Sequence, residues 1–120
     1  MGVTKTVLRP GNGQDSPKKG DHVSIHYTGC LYDESKADNH YMGKQFDSSK
    51  SRGPLEVSIG VGQVIRGWDE GVLQMTLGER SILTISGDYA YGPRGFPGLI
   101  PPNATLVFDV ELIKINNKSA

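Results

Sequence analysis

The stretch Val64-Ile65-Arg66-Gly67-Trp68-Asp69-Glu70-Gly71-Val72-Leu73-Gln74-Met75 decides the fold, because no other part of the 120-residue chain has a convincing helical pattern. Its apolar residues recur at spacings of three and four, as they do on one face of an α-helix. These residues are Ile65, Trp68, Val72 and Met75. Gly78 follows, as is typical of the region where a helix ends. The sequence therefore predicts one short helix over residues 64–75.

Most of the remaining chain has the pattern of a β-protein. Its 16 glycines and 7 prolines indicate many turns, and the segments between them alternate with a period of two. Strands are predicted at residues 3–8, 22–28, 55–59, 80–86 and 105–115. In the last of these the apolar side chains share one face, which is typical of an antiparallel sheet solvated on its other side. The expected fold class is α+β, an antiparallel sheet curled around a single helix.

Two segments fit neither element. Residues 32–45 are polar and separate two strand-like runs by more than a hairpin usually takes, so we expect an inserted, exposed loop. That loop could approach a pocket or be an inert surface excursion, and the low cost of loop insertions favours the inert reading. Residues 87–102 contain too much proline for a strand yet carry apolar side chains, which suggests a pocket wall.

Size and charge exclude several classes of protein. The length suits one domain over residues 1–120, and 13 basic residues balance 13 acidic ones, so neither nucleic acid nor a membrane surface is an expected partner. The single Cys30 and three scattered histidines predict no zinc site. Without a spanning segment or signal peptide, the expected location is the cytoplasm. Residues 1–6 loosely fit a myristoylation pattern, but residues 3–8 also fit an edge strand, which we favour.

The common enzyme motifs do not occur. Gly60-Val61-Gly62 lacks the third glycine of a dinucleotide loop, and there is no Walker A, His-Glu-x-x-His or Gly-x-Ser-x-Gly sequence. No cofactor and no metal are therefore expected. What remains is a set of aromatic and apolar residues from several elements, which could simply form the core. They are Tyr27, Phe46, Val64, Ile65, Trp68, Tyr91, Ile100 and Phe108.

Five segments, in order, resemble the successive signatures of the FKBP family of peptidyl-prolyl isomerases. They are Val23-Ser24-Ile25-His26-Tyr27-Thr28-Gly29, Phe46-Asp47-Ser48-Ser49, Gly62-Gln63-Val64-Ile65-Arg66-Gly67-Trp68-Asp69-Glu70-Gly71, Tyr89-Ala90-Tyr91-Gly92 and Leu99-Ile100-Pro101-Pro102-Asn103-Ala104-Thr105-Leu106-Val107-Phe108. The resemblance covers nearly the whole chain apart from residues 32–45. It implies a five- or six-stranded antiparallel sheet wrapped around one short helix, and a monomeric, cofactor-free enzyme that accelerates rotation about X-Pro bonds.

The same resemblance implies a set of site residues. Trp68 is similar to the floor of the family's pocket, and Asp47, the Tyr91 hydroxyl and the Ile65 N–H are similar to its catalytic groups. Arg52 resembles an ion-pair partner of Asp47, although both could be ordinary surface charges. The other implied binding residues are Tyr27, Phe46, Leu55, Gln63, Val64, Phe96, Ile100 and Phe108. Leu55 stands where the family often has an aromatic residue, Gln63 where it often has glutamate, and Phe96 at a variable loop position.

The partners implied by the resemblance are proline-containing peptides and proteins, and the macrolides tacrolimus and rapamycin. Macrolide complexes of the family present a surface to the phosphatase calcineurin or the kinase TOR. A binding module with little turnover is therefore the main alternative to an isomerase. A purely structural interaction domain is a third reading.

Overall fold

The computed structural model describes residues 2–120, and its elements follow the order β-strands, one helix, β-strands. The strands are β1 (Val3–Arg9), β2 (His22–Tyr32), β3 (Met42–Ser48), β4 (Leu55–Ser58), β5 (Arg80–Ile85), β6 (Leu106–Ile115) and β7 (Lys118–Ser119), and the α-helix is α1 (Arg66–Gly71). Short 3-10 turns occupy Glu34–Asn39, Val72–Gln74, Gly87–Tyr89 and Gly92–Arg94. No helix within residues 2–120 is long and apolar enough to cross a membrane.

The strands form one antiparallel sheet in the order β1-β5-β6-β2-β3, with β4 also paired to β2 and β7 to β6. The predicted α+β class, an antiparallel sheet with one short helix, is confirmed. The two-residue β7 brings the number of strands to seven. Side chains from β2, β5 and β6 meet α1 in a single core, in which Ile25, Leu83 and Val110 are fully buried.

The helix is shorter than the predicted residues 64–75. Ile65 precedes α1 with an extended backbone, and the chain tightens into a 3-10 turn at Val72–Gln74. Within α1, Gly67 lets the helix approach β5 closely, because a Cβ there would lie 2.4 Å from Ile85 Cγ2. This close approach requires a glycine at a helical position, although glycine is a poor helix former.

Only part of residues 32–45 is a loop, so the predicted loop was too long at both ends. Strand β2 runs to Tyr32, and β3 begins at Met42 and pairs with it. Residues 42–45 have few apolar side chains because β3 lies at the edge of the sheet, where polar and charged side chains are favoured. Between the strands, the rings of Tyr32 and Tyr41 stack with centroids 5.1 Å apart.

The segment between β2 and β3 lies over the face of the sheet that points away from α1. Its residues Ala37, His40 and Tyr41 share a shallow cavity of about 340 Å³ with Ile82 and Thr84 of β5. On this same face Cys30 is buried, although it does not belong to the core around α1. The excursion therefore forms a second, thin layer on the sheet.

Candidate active site

One cavity of about 420 Å³ opens where β2, β3, the residues before α1 and the 87–102 segment meet. This volume lies in the range of small-molecule pockets. The cavity is lined by ten residues: Tyr27, Phe46, Asp47, Leu55, Gln63, Val64, Ile65, Trp68, Tyr91 and Phe108. All ten are residues that the sequence analysis assigned to the site.

The cavity has a rigid aromatic lining. Trp68, on α1, is only 4% exposed, and its ring meets Tyr27 edge-on at 4.9 Å and Phe108 at 5.1 Å between centroids. Phe46 packs edge-on against Phe108 at 5.7 Å. Edge-to-face contacts are the preferred geometry of aromatic pairs and hold each ring against its neighbours.

A hydrogen-bonded group of Tyr27, Asp47 and Arg52 forms one side of the cavity. The Tyr27 hydroxyl donates to Asp47 Oδ2 at 2.6 Å, and Arg52 Nη2 donates to Asp47 Oδ1 at 2.7 Å and to the Tyr27 oxygen at 2.8 Å. The carboxylate of Asp47 thus has protein donors on both oxygens. Burial, together with the hydrogen bond to Asp47, raises the pKa of Tyr27 to about 12, so its hydroxyl stays protonated at neutral pH.

Three donors at the cavity have no protein partner within the described chain. They are the Ile65 N–H, the Tyr91 hydroxyl and the buried indole Nε1 of Trp68. Burial, and to a lesser degree the charge of Asp47, raises the pKa of Tyr91, so its hydroxyl remains a donor. The site therefore combines apolar walls with a few uncommitted donors, which is the composition of a pocket for a largely apolar ligand that carries carbonyl groups.

Three residues named in the sequence analysis do not line this cavity. Arg52 reaches it only through Asp47 and Tyr27, and Ile100 is 4% exposed within the core. Phe96 is 50% exposed and packs edge-on against Tyr91, and its backbone exchanges two hydrogen bonds with Ile100. Their contact with a ligand stays a prediction.

Sequence reasoning gave no role to Asp69, which the structure places beside the site. Its carboxylate accepts hydrogen bonds from the backbone N–H groups of Gly60 and Gly62, at 2.8 and 2.9 Å. The sequence carries one signal of this contact, an acidic residue in the first turn of the helix shortly after two glycines. Among residues 2–120, no group of three or more His, Cys, Asp or Glu side chains could hold a metal ion.

Comparison with known proteins gives a consistent result over nearly the whole chain. The family model for FKBP-type peptidyl-prolyl cis-trans isomerases matches residues 13–113. The chain is 67% identical to FK506-binding protein 1B of Aspergillus fumigatus, over 98% of this chain and 97% of that protein. It is 64% identical to FK506-binding protein 1 of Yarrowia lipolytica, over 97% of this chain and all of that protein. A peptidyl-prolyl cis-trans isomerase of Schizosaccharomyces pombe is 61% identical over the full length of both.

Proposed function

The chain belongs to the FKBP-type peptidyl-prolyl cis-trans isomerase family, and from this premise we propose that the cavity floored by Trp68 is its isomerase site and macrolide site. The enzyme accelerates rotation about X-Pro bonds. The observation that carries the proposal is the convergence of Tyr27, Phe46, Trp68 and Phe108 on one cavity beside free hydrogen-bond donors.

The proposed reaction breaks no bond. Rotation about an X-Pro bond is opposed by amide resonance, with a barrier of about 20 kcal/mol in water. The planar amide is charge-separated and well solvated, whereas the twisted amide has lost its conjugation and is less polar. An apolar cavity that excludes water therefore favours the twisted form over the planar one, which is differential binding of the transition state.

The free donors orient the peptide in this proposal. The Ile65 N–H and the Tyr91 hydroxyl bind the carbonyl groups on either side of the twisted bond, since neither has a partner in the described protein. Each tenfold gain in rate needs about 1.4 kcal/mol of differential stabilisation, which one or two such bonds can supply. Asp47 faces the ligand from the side and is held there by Tyr27 and Arg52.

The macrolides tacrolimus and rapamycin are the proposed ligands of the same cavity. The names of the similar proteins from Aspergillus fumigatus and Yarrowia lipolytica, which describe binding of FK506, support this proposal. Two of the residues that line the cavity differ from those common in the family. Leu55 gives a smaller wall than an aromatic residue would, and Gln63 is neutral and accepts a hydrogen bond from Ser58 N at 3.0 Å.

A second function is capture of calcineurin or the kinase TOR by the macrolide complex, with the chain acting as a monomer in the cytoplasm. The observation that favours it is the exposure of apolar side chains on the 87–102 segment. Tyr91, Phe96 and Leu99 are 37%, 50% and 44% exposed. Exposed apolar patches beside a ligand site are typical of surfaces that contact another protein.

Two measurements on one preparation test these proposals. A protease-coupled assay measures isomerisation, and isothermal titration calorimetry with rapamycin measures binding, which also works in a variant that lacks Trp68, the single tryptophan. We expect Trp68→Leu and Phe108→Ala to weaken binding, and Tyr91→Phe and Asp47→Ala to lower turnover more mildly. If all four variants match the parent, the site lies elsewhere. A parent that binds macrolide tightly but turns over substrate poorly would favour the capture function.

A further inference from the structure

Residues 60–65 carry one wall of the cavity without regular secondary structure. Gln63, Val64 and Ile65 line the cavity, while Gly60 and Gly62 before them have φ of +81° and +83°. A segment with so few repeating backbone bonds opens readily unless something else holds it. The position of the Ile65 N–H depends on what holds this segment.

Asp69 contacts the segment through its carboxylate at Gly60 and Gly62 and through its backbone at Ile65. Its Oδ1 accepts from Gly60 N at 2.8 Å and its Oδ2 from Gly62 N at 2.9 Å. Its own backbone N–H donates to the Ile65 carbonyl at 3.2 Å, which is the first i→i−4 bond of α1 and does not depend on the Asp69 side chain. The six residues from Gly60 to Ile65 thus make several hydrogen bonds to Asp69 of α1. Asp69 directly follows Trp68, the floor of the cavity.

We propose that Asp69 is a positioning residue of the isomerase site, which fixes residues 60–65 so that the Ile65 N–H is held for the substrate. This inference rests on the proposed function of the cavity. A carboxylate suits the task because both oxygens accept, and hydrogen bonds to a charged acceptor are stronger than neutral ones. An asparagine at this position would keep only one acceptor oxygen and would release Gly60 or Gly62.

Of the two contacts that the Asp69 carboxylate makes, the one to Gly62 lies at the surface and the one to Gly60 is partly buried. A Cβ at Gly62 would meet nothing within 4 Å, and the bond from Gly62 to Asp69 is exposed to solvent. Loss of this bond therefore loosens one wall of the cavity while the sheet and the core around Trp68 stay folded. This separation makes a positioning role measurable.

The test compares Asp69→Asn with Asp15→Asn, a matched change of the same charge. Asp15 is bonded through its carboxylate to Asn12 and Lys118, at 2.7 and 3.1 Å, and does not line the cavity. Amide hydrogen exchange is measured at Gly60, Gly62 and Ile65, and kcat and KM are measured on a short proline peptide. Asp69→Asn is expected to speed exchange at the glycine amides about tenfold and to lower kcat/KM about three- to tenfold, with a thermal midpoint like that of Asp15→Asn.

Asp69→Glu retains both acceptor oxygens and is expected to recover most of the lost kcat/KM. The proposal would be overturned if amide hydrogen exchange at the two glycines, or kcat/KM, were the same in Asp69→Asn as in the parent. A fall only in the thermal midpoint of Asp69→Asn, or no recovery in Asp69→Glu, would also overturn it. If the parent itself does not isomerise the peptide, the proposed function fails, and the exchange comparison still decides whether Asp69 holds the segment.

Discussion

The hydroxyl of Tyr27 lies 2.6 Å from Asp47 Oδ2 and donates a hydrogen bond to it. This bond joins the middle of β2 to β3 at the wall of the cavity, and Arg52 completes the group from the turn that follows. Asp47 is therefore a fixed part of the wall. Its orientation depends on Tyr27 as much as on its ion pair with Arg52.

Tyr27→Phe is expected to lower the free energy of unfolding by about 1 kcal/mol and to weaken rapamycin binding. The change removes the donor to Asp47 and the acceptor for Arg52, yet keeps the ring beside Trp68. Urea unfolding and a fluorescence titration measure the two effects. Tyr32→Phe is the matched control, because Tyr32 is exposed, stacks on Tyr41 and does not line the cavity. Equal behaviour of the two variants would contradict the prediction.

Phe108→Ala is expected to cost about 3–5 kcal/mol of stability and to weaken ligand binding strongly. Phe108 is 3% exposed and contacts the rings of Tyr27, Phe46 and Trp68. Phe96→Ala makes the same chemical change on a side chain that is 50% exposed, where the expected cost is about 0.5 kcal/mol or less. Chemical denaturation of both variants checks the difference, and a similar loss in the two would show that burial does not set the cost.

Tyr91→Phe is expected to lower kcat/KM about two- to tenfold and to leave the unfolding free energy unchanged. The hydroxyl lines the cavity and has no partner in the described part of the chain, so folding does not need it. The control is Tyr89→Phe, which removes a hydroxyl from a ring that packs under Arg66 and does not line the cavity. A loss of stability without a loss of turnover in Tyr91→Phe would refute the donor role.

Much of the fold could be predicted from the sequence because its side-chain pattern records which face is buried. The period of two at residues 22–28 and the spacing around Trp68 predicted strand β2 and helix α1. The end of the helix could not be predicted, because the chain passes from α1 into a 3-10 turn at Val72–Gln74 that continues the same apolar spacing. The start of β3 could not be predicted either, because a polar edge strand and a polar loop have similar composition.

Site residues could be predicted from the sequence only where their side chains belong to a recognisable motif. The aromatic residues and Asp47 were found because the family's motifs contain them, and their convergence on one cavity agrees with that assignment. Asp69 was missed because its carboxylate binds backbone N–H groups, which every residue except proline has. Contacts of that kind depend on the path of the chain and leave almost no pattern in the sequence.

Tyr41→Ala is expected to speed the reaction of Cys30 with a thiol reagent and to leave isomerase activity unchanged. Tyr41 stacks on Tyr32 in the layer that covers the outer face of the sheet, where the single cysteine is buried. Burial also raises the pKa of the Cys30 thiol, which keeps it in its less reactive form. Labelling rates under native conditions check the prediction, and Val7→Ala, on an exposed side chain of β1, is the control. An unchanged rate would mean that the excursion does not protect this face.

Glu79 joins the N-terminal strand to the rest of the sheet. Its side chain is 6% exposed and accepts from Lys5 Nζ at 2.9 Å, from the Ser81 hydroxyl at 2.6 Å and from Thr76 N at 3.1 Å. Burial by itself raises the pKa of Glu79, but the hydrogen bonds from Ser81, Lys5 and Thr76 together outweigh it. The pKa of Glu79 therefore lies below its ordinary value of 4.5.

Because the folded pKa of Glu79 is lowered, its carboxylate stabilises the protein above pH 4.5, and this stability is lost as the pH falls through the folded pKa. Glu79→Gln is expected to cost about 1–3 kcal/mol at pH 7, since one acceptor oxygen and the ion pair with Lys5 are lost. The deficit should shrink as the pH falls from 4.5 towards 3, where the parent becomes protonated as well. Urea unfolding of both proteins across this range measures the difference, with Glu34→Gln on an exposed side chain as the control. A deficit that stays constant with pH would show that the Glu79 carboxylate does not hold β1 through its charge.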